Sequence, residues 1–312
     1  MRKFSLEKDS RGNLRFCLNG KPTFLYGPLD QGYWPDGLYT PPTDEAFQWE
    51  IRFLKDAGFN MLRKHIKVEP ARYYAHCDRI GIIVWQDMIS GGISPKPIWF
   101  ALPKLMPRLK DNRAYWRLGR SDAANRAEFR QEYQQMIDSL YNVVSIAIWG
   151  PFNEGWGQFD AAEIANWTKQ YDPTRLLDHA SGWFDQGAGD FKSEHVYFKP
   201  LPSPKLEPGR GLVLSEFGGY SLNVPGHVWN PDKDFGYKKF ASSEALTEGY
   251  LRLLQDELIP WIMAGCSGAV YTQTTDVETE INGFLTYDRQ VEKMDIAAIR
   301  EAHQKLYESS PE

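Results

Sequence analysis

The sequence predicts an α/β fold: a (β/α)8 TIM barrel with a short N-terminal β-hairpin cap. Three observations predict it. Short apolar, β-branched runs alternate with amphipathic helical stretches, the pattern of parallel strands joined by crossover helices. Eight such runs can be counted, and 312 residues suit one large barrel. No linker-like stretch divides the chain, so a single domain is expected, with residues 1–21 as the hairpin and 22–312 as the barrel.

The elements follow in order. "FSLEKDSRGNLRFCLNGKP" alternates and turns like a hairpin that caps the barrel's N-terminal end. "PTFLYG", Pro22–Gly27, is the first strand. The helix "TDEAFQWEIRFLKDAG" takes Thr43 as its N-cap, buries Phe47, Ile51 and Leu54 on one face and stops at Gly58. "FNMLRKH" is the second strand, "EPARYYAHCDRIG" the second helix and "IIVWQD" the third strand. The irregular stretch 90–122 is long enough to suggest a functional loop or lid before a helix over Asn125–Tyr141. "SIAIW" is the fourth strand, followed by a helix over Ala161–Gln170. "RLLDHA", "HVYF" and "GLVLSEFGG" are strands five to seven. An irregular segment, Tyr220–Ser243, leads to a helix over Glu244–Ala264, and "SGAVYTQTTD" is the last strand.

Composition narrows the function. A net charge of −5 argues against a nucleic-acid surface, which needs a clustered basic excess. No apolar run nears the ~20 residues of a membrane span. The opening "MRKFSLEKDS" lacks a signal peptide's apolar core, so the chain as given is expected to be soluble, and cytoplasmic if complete. Cys17, Cys77 and Cys266 are too scattered for a metal site and read as buried thiols. Aromatics at 14 % are first the signature of a large core, and they also suit sugar binding.

In a barrel the strand C-termini converge on one mouth. Here they bring Arg63, Lys64 and His65; Trp85 and Asp87; Asn153 and Glu154; Asp178 and His179; His195 and Tyr197; Glu216; and Tyr271, Gln273 and Asp276. Two glutamates stand in similar settings, in "IAIWGPFNEGWG" and "LVLSEFGG", each after a buried strand and before glycine and an aromatic. A charge there costs free energy unless it is paired or solvated in a site. Paired carboxylates suit glycosidic bond cleavage, one donating a proton to the leaving oxygen and the other attacking or stabilising C1. The plainer alternative is that each glutamate is scaffolding paired to an arginine such as Arg63.

"WGPFNEGWG" followed by "LSEFGG" resembles the catalytic barrel of glycoside hydrolase family 2. "NGKPTFLYG", "LKDAGFNMLRKH", "CDRIGIIVWQD", "HVYFKP" and "YTQTTDVETEINGFLTYDR" extend the likeness over most of the chain. The resemblance implies Glu154 as general acid/base, Glu216 as nucleophile and Asn153 on the sugar 2-hydroxyl. It also implies Tyr197 and Arg63 beside the nucleophile, and His195, Trp85 and Asp87 lining the sugar subsite, with Trp85 as core and Asp87 as a helix cap the alternative. His65, at a strand end, is a further substrate-binding candidate. Trp156 and Trp183, just after strand ends, are candidates to stack on sugar rings.

The expected function is therefore a retaining exo-β-glycosidase for neutral β-galactosides or β-mannosides, with a glycoside or oligosaccharide substrate and neither cofactor nor metal. Glucuronidases of the family carry Asn-x-Lys near the eighth strand, whereas this chain reads "INGFLTYD" there. The family's β-sandwich accessory domains, expected in a parent protein, do not precede this barrel. The rival reading is thus a non-catalytic or weakly active carbohydrate-binding barrel. A metal-dependent barrel hydrolase would want His-x-His, which none of the six histidines makes.

Overall fold

The computed structural model describes residues 2–93 and 109–310. The N-terminal alternation produces β1 (Phe4–Lys8), β2 (Leu14–Leu18) and β3 (Lys21–Pro22), an antiparallel sheet. Eight parallel strands make the barrel: β4 (Leu25–Asp30), β5 (Met61–Lys64), β6 (Ile83–Asp87), β7 (Ile146–Gly150), β8 (Leu176–Leu177), β9 (Phe191–Val196), β10 (Gly211–Gly218) and β13 (Cys266–Thr272). Their order is β8-β7-β6-β5-β4-β13-β10-β9, so the first barrel strand pairs with the last. Across the seam between β8 and β9, Asp190 replaces a ladder. Its N–H donates to the Leu177 carbonyl at 2.8 Å, and its Oδ2 accepts the Leu177 N–H at 2.8 Å.

The first residues of the strands fill the barrel's floor. Leu25, Met61, Ile83, Leu176 and Phe191 pack inward around Phe16 of β2, with Phe4 and Leu6 against them. The small sheet therefore plugs the N-terminal mouth and leaves the opposite mouth for polar groups.

The helices wrap the outside. α1 (Asp44–Asp56) is capped by Thr43, whose side chain accepts the Ala46 N–H, and buries Phe47, Ile51 and Leu54 as the periodicity predicts. α2 (Ala71–Ile80) ends at left-handed Gly81. α3 (Ala123–Leu140) begins two residues before the expected start because Asp122 caps it. α4 (Ala161–Tyr171) follows β7. α5 (Ser243–Arg252) runs through a π-helical stretch, Leu253–Leu258, into α6 (Ile259–Ala264), so the expected single helix carries a π turn. α7 (Ile296–Glu308), which the sequence reading did not single out, closes the outer ring.

Four expectations need correction. The first strand starts at Leu25, because Pro22 is taken by pairing with Cys17 in the cap. Strand five is only Leu176–Leu177. Strand six lies at Phe191–Val196 and overlaps only the start of "HVYF"; its polar residues Lys192, Ser193, Glu194 and His195 blurred the apolar signature. Tyr220–Ser243 holds a small parallel pair, β11 (Tyr220–Leu222) and β12 (Lys238–Phe240).

Residues 94–108 of the expected lid lie outside the described residues. Its second half is pinned to the loop after β7: Arg120 Nε donates to the Gly157 carbonyl at 2.8 Å, and Gln158 Nε2 donates to Asp111 at 2.9 Å. Cys17, Cys77 and Cys266 are buried, free thiols. No helix among the described residues is long and apolar enough to cross a membrane.

Candidate active site

Arg63, at the end of β5 and fully buried, organises the barrel's open mouth. Its Nε donates to both Asp87 oxygens at 3.2 and 3.0 Å. Nη1 donates to the Ser215 carbonyl at 3.0 Å and to Glu216 Oε1 at 3.2 Å, and Nη2 donates to Asn153 Oδ1 at 2.8 Å. A buried guanidinium is tolerable only with such complete pairing. One cation thereby ties four barrel strands together.

Glu216 sits on β10 at a register irregularity. Leu214 pairs with Glu194 and Glu216 with the next residue, His195, so Ser215 is the extra residue. A bulge of this kind re-aims a side chain. Oε2 of Glu216 accepts the Tyr197 hydroxyl at 2.7 Å, and Thr272 Oγ1 lies 2.6 Å from the same phenol. Burial, and then the Glu216 charge, hold the Tyr197 hydroxyl protonated, so the phenol donates and Thr272 donates to it.

Glu154 is built differently. It has φ +51°, a left-handed backbone uncommon outside glycine, and Gly155 and Gly157 beside it are left-handed too. A β-carbon at Gly155 would come within 2.4 Å of the Phe184 ring. The Glu154 N–H donates to the Ser181 carbonyl at 2.9 Å, which anchors this turn to the end of β8. Burial pushes the Glu154 carboxyl up to about 7, with the His65 and Arg63 charges pulling the other way. Its Oε1 lies 3.0 Å from His195 Nδ1, and His195 Nε2 lies 3.1 Å from Ser181 Oγ. Burial brings His195 down to about 4, so the ring is neutral near pH 7. Gly182 makes room for it, since a β-carbon there would strike the ring at 2.3 Å.

The two carboxylates meet. One oxygen each of Glu154 and Glu216, with one His195 nitrogen, all lie within 4.8 Å of one another. This trio is also the donor set among the described residues nearest to a metal site. Arg63 and Tyr197 already claim both Glu216 oxygens, which disfavours a cation there.

Of the expected residues, Arg63, His65, Asp87, Asn153, Glu154, His195, Tyr197 and Glu216 form one connected cluster, with His65 Nδ1 2.9 Å from Asp87. Trp85 and Asp87 are both buried beneath the cluster. Trp85 is buried, stacked on Phe191 and overlain by Arg63 at 5.3 Å, because its strand position faces the barrel interior. Asp87 is buried, and its oxygens are committed to Arg63 and His65. Burial raises its pKa, but those two neighbours outweigh the effect and leave it lowered. Trp183 is half-buried against Leu109, Leu118 and Phe184, and Trp156 is half-buried in the turn after Glu154. Lys64 faces Asp30 and Glu69 instead of the cluster.

Sequence reasoning missed Ser181, Thr272 and Tyr237. Tyr237 comes from the stretch expected to be irregular and stacks on Tyr197 with ring centroids 3.8 Å apart. A tyrosine between Gly236 and the short strand β12 carries no signal for such a role.

Residues 13–305 match the family model "Glycosyl hydrolases family 2, TIM barrel domain". The chain is 25 % identical over 299 residues to a β-galactosidase of Pseudoalteromonas haloplanktis, covering 89 % of this chain and 26 % of that protein. It thus spans about a quarter of that relative's length. Among solved structures, a β-galacturonidase from Eisenbergiella tayi superposes with a TM-score of 0.70 at 17 % identity, over 97 % of this chain and 54 % of that one. A β-glucuronidase from Parabacteroides merdae does so with 0.64 at 18 %, over 100 % and 39 %. At these identities the structural likeness speaks for the fold alone.

Proposed function

The chain belongs to glycosyl hydrolase family 2, and on that premise we propose that it is a retaining exo-β-glycosidase acting on neutral terminal β-hexosides of the galactoside or mannoside type. The observation that carries the reading is the approach of Glu154 and Glu216 to within 4.8 Å, oxygen to oxygen. Retaining enzymes hold their carboxyls about 5–5.5 Å apart, whereas inverting ones leave about 6.5–9.5 Å for a water.

Glu216 Oε attacks C1 of the sugar and forms a C1–O bond as the bond from C1 to the leaving oxygen breaks. Glu154, held protonated near neutral pH by its burial, delivers its proton to that oxygen. In the second step the Glu154 carboxylate takes a proton from water, the water oxygen bonds to C1, and the bond to Glu216 breaks. Asn153, whose Oδ1 is committed to Arg63, presents its NH2 end to the 2-hydroxyl of the sugar. His195 bridges towards both carboxylates, 3.0 Å from Glu154 and 3.6 Å from Glu216.

The test is to hydrolyse 4-nitrophenyl β-galactoside and β-mannoside and to follow the anomer released first by proton NMR. The β-anomer should appear first and mutarotate later. First appearance of the α-anomer would remove the double displacement.

A further inference from the structure

We infer that Glu280 is a specificity-determining residue of the sugar pocket, an anchored carboxylate that admits uncharged sugars and rejects carboxylated ones. The inference deepens the glycosidase reading and rests on it. Solved uronidases share this fold, so the fold itself does not choose between neutral and acidic sugars.

Glu280 lies in the loop after β13, and its position is fixed twice. The backbone on either side of it pairs with Phe235: the Phe235 N–H donates to the Thr279 carbonyl at 2.7 Å, and the Ile281 N–H donates to the Phe235 carbonyl at 2.9 Å. Two residues beyond Phe235, Tyr237 stacks on Tyr197, the phenol that bonds Glu216. The Tyr237 hydroxyl stands within electrostatic reach of Glu280, Glu216 and Glu154 together, which, after burial, raise its pKa.

The Glu280 side chain is equally constrained. Gln31 Nε2 donates to Gln273 Oε1 at 2.8 Å, Gln273 Nε2 to Asn282 Oδ1 at 2.8 Å, and Asn282 Nδ2 to Glu280 Oε1 at 2.9 Å. Burial raises the Glu280 carboxyl, and the neighbouring Asn282 and Gln31 amides pull the other way. Three amides are thus polarised toward one half-buried carboxylate. Gln273 follows Thr272, the partner of Tyr197, so the circuit adjoins the Glu216 side of the cluster.

Four buried cations at the strand ends and in the loop after β13 are committed elsewhere, while Arg120, without an acid partner, bonds the Gly157 carbonyl on the loop after β7. Arg63 is saturated, Lys64 and Lys67 hold Asp30, Glu69 and the Gly32 carbonyl, and Lys293 holds Asp276 at 2.7 Å. A sugar carboxylate on the Glu280 side would meet a third acid beside Glu154 and Glu216. Specificity by like-charge exclusion of this kind is discrimination against the wrong ligand.

The experiment compares wild type, Glu280→Gln and Glu280→Ala on 4-nitrophenyl β-galactoside, β-mannoside, β-glucuronide and β-galacturonide, with thermal unfolding checking that each variant folds. Wild type should turn over the neutral glycosides, and in either folded variant the uronide-to-neutral ratio of kcat/KM should rise about tenfold or more. An unchanged ratio in a folded variant, or a wild type that prefers uronides, overturns the inference. A wild type hydrolysing none of the four would sink the glycosidase reading separately. The same ratio is then read from calorimetric binding of galactose, mannose, galacturonate and glucuronate. Equal affinity for acid and neutral sugar, or no binding at all, would overturn the assignment of Glu280.

Discussion

The ends of β7 and β10 each deliver one glutamate to the same few ångströms, yet they surround it with opposite chemistry. Glu216 rests between two donors, the Arg63 guanidinium and the Tyr197 phenol, so each of its oxygens accepts a hydrogen bond. Glu154 is held on a left-handed turn, and its carboxyl meets the neutral ring of His195. Burial then wins over the more distant charges and raises it to about 7. Two identical side chains can thus be given two roles by what their strands place beside them.

The contrast predicts how it can be broken. Glu216→Gln should abolish turnover of every β-glycoside by roughly 10⁴-fold or more, measured as kcat with the fold intact by circular dichroism. Residual turnover near wild type would mean another group attacks C1. Glu154→Gln should cost roughly 10²–10⁴-fold on substrates with poor leaving groups. It should cost far less in glycosylation of a dinitrophenyl glycoside, whose leaving oxygen needs no proton. Equal losses on both substrate types would deny Glu154 the acid role.

Arg63→Ala should cost about 3–5 kcal/mol of stability, read by urea unfolding, because it strands Asp87 and Glu216 as buried, uncompensated charges. A loss under about 1 kcal/mol, as for exposed pairs, would contradict the pairing described. The pH dependence sharpens the comparison further. Since the Glu154 carboxyl is raised, the acid is present below about 7, and kcat/KM should fall as pH rises through that value. The stability linkage has the same sign. The native state binds this proton more tightly than the unfolded chain, so stability declines as pH rises from the unfolded value toward about 7. The smallest effect expected is for His65→Ala. His65 opposes the rise at Glu154, so its removal should move the alkaline limb upward by less than about one pH unit. A downward move would reverse the proposed electrostatics.

Much of this was legible before folding. A buried apolar run that ends in Asn153-Glu154, and another in Glu216, advertise themselves because carboxylates at such places need a reason. Arg63 and Tyr197 were legible as polar strand ends. For Trp85 the strand end left core and subsite open, because it does not reveal whether an alternate residue faces the mouth or the packed interior, and the structure buries it. Ser181, Tyr237 and Glu280 were invisible as partners, since they come from loops whose course depends on contacts far away in sequence.

What the sequence determined by itself was periodicity, and with it the alternation of strand and helix, the floor of apolar first residues and the acids at the far ends. What only the tertiary structure decided was who stands beside whom across the mouth. Barrel closure, the Ser215 bulge and the turn at Glu154 bring residues from β5, β7, β9 and β10 to one point. A repeat along one strand records burial, but separation between strands depends on register, and register is a property of the closed sheet.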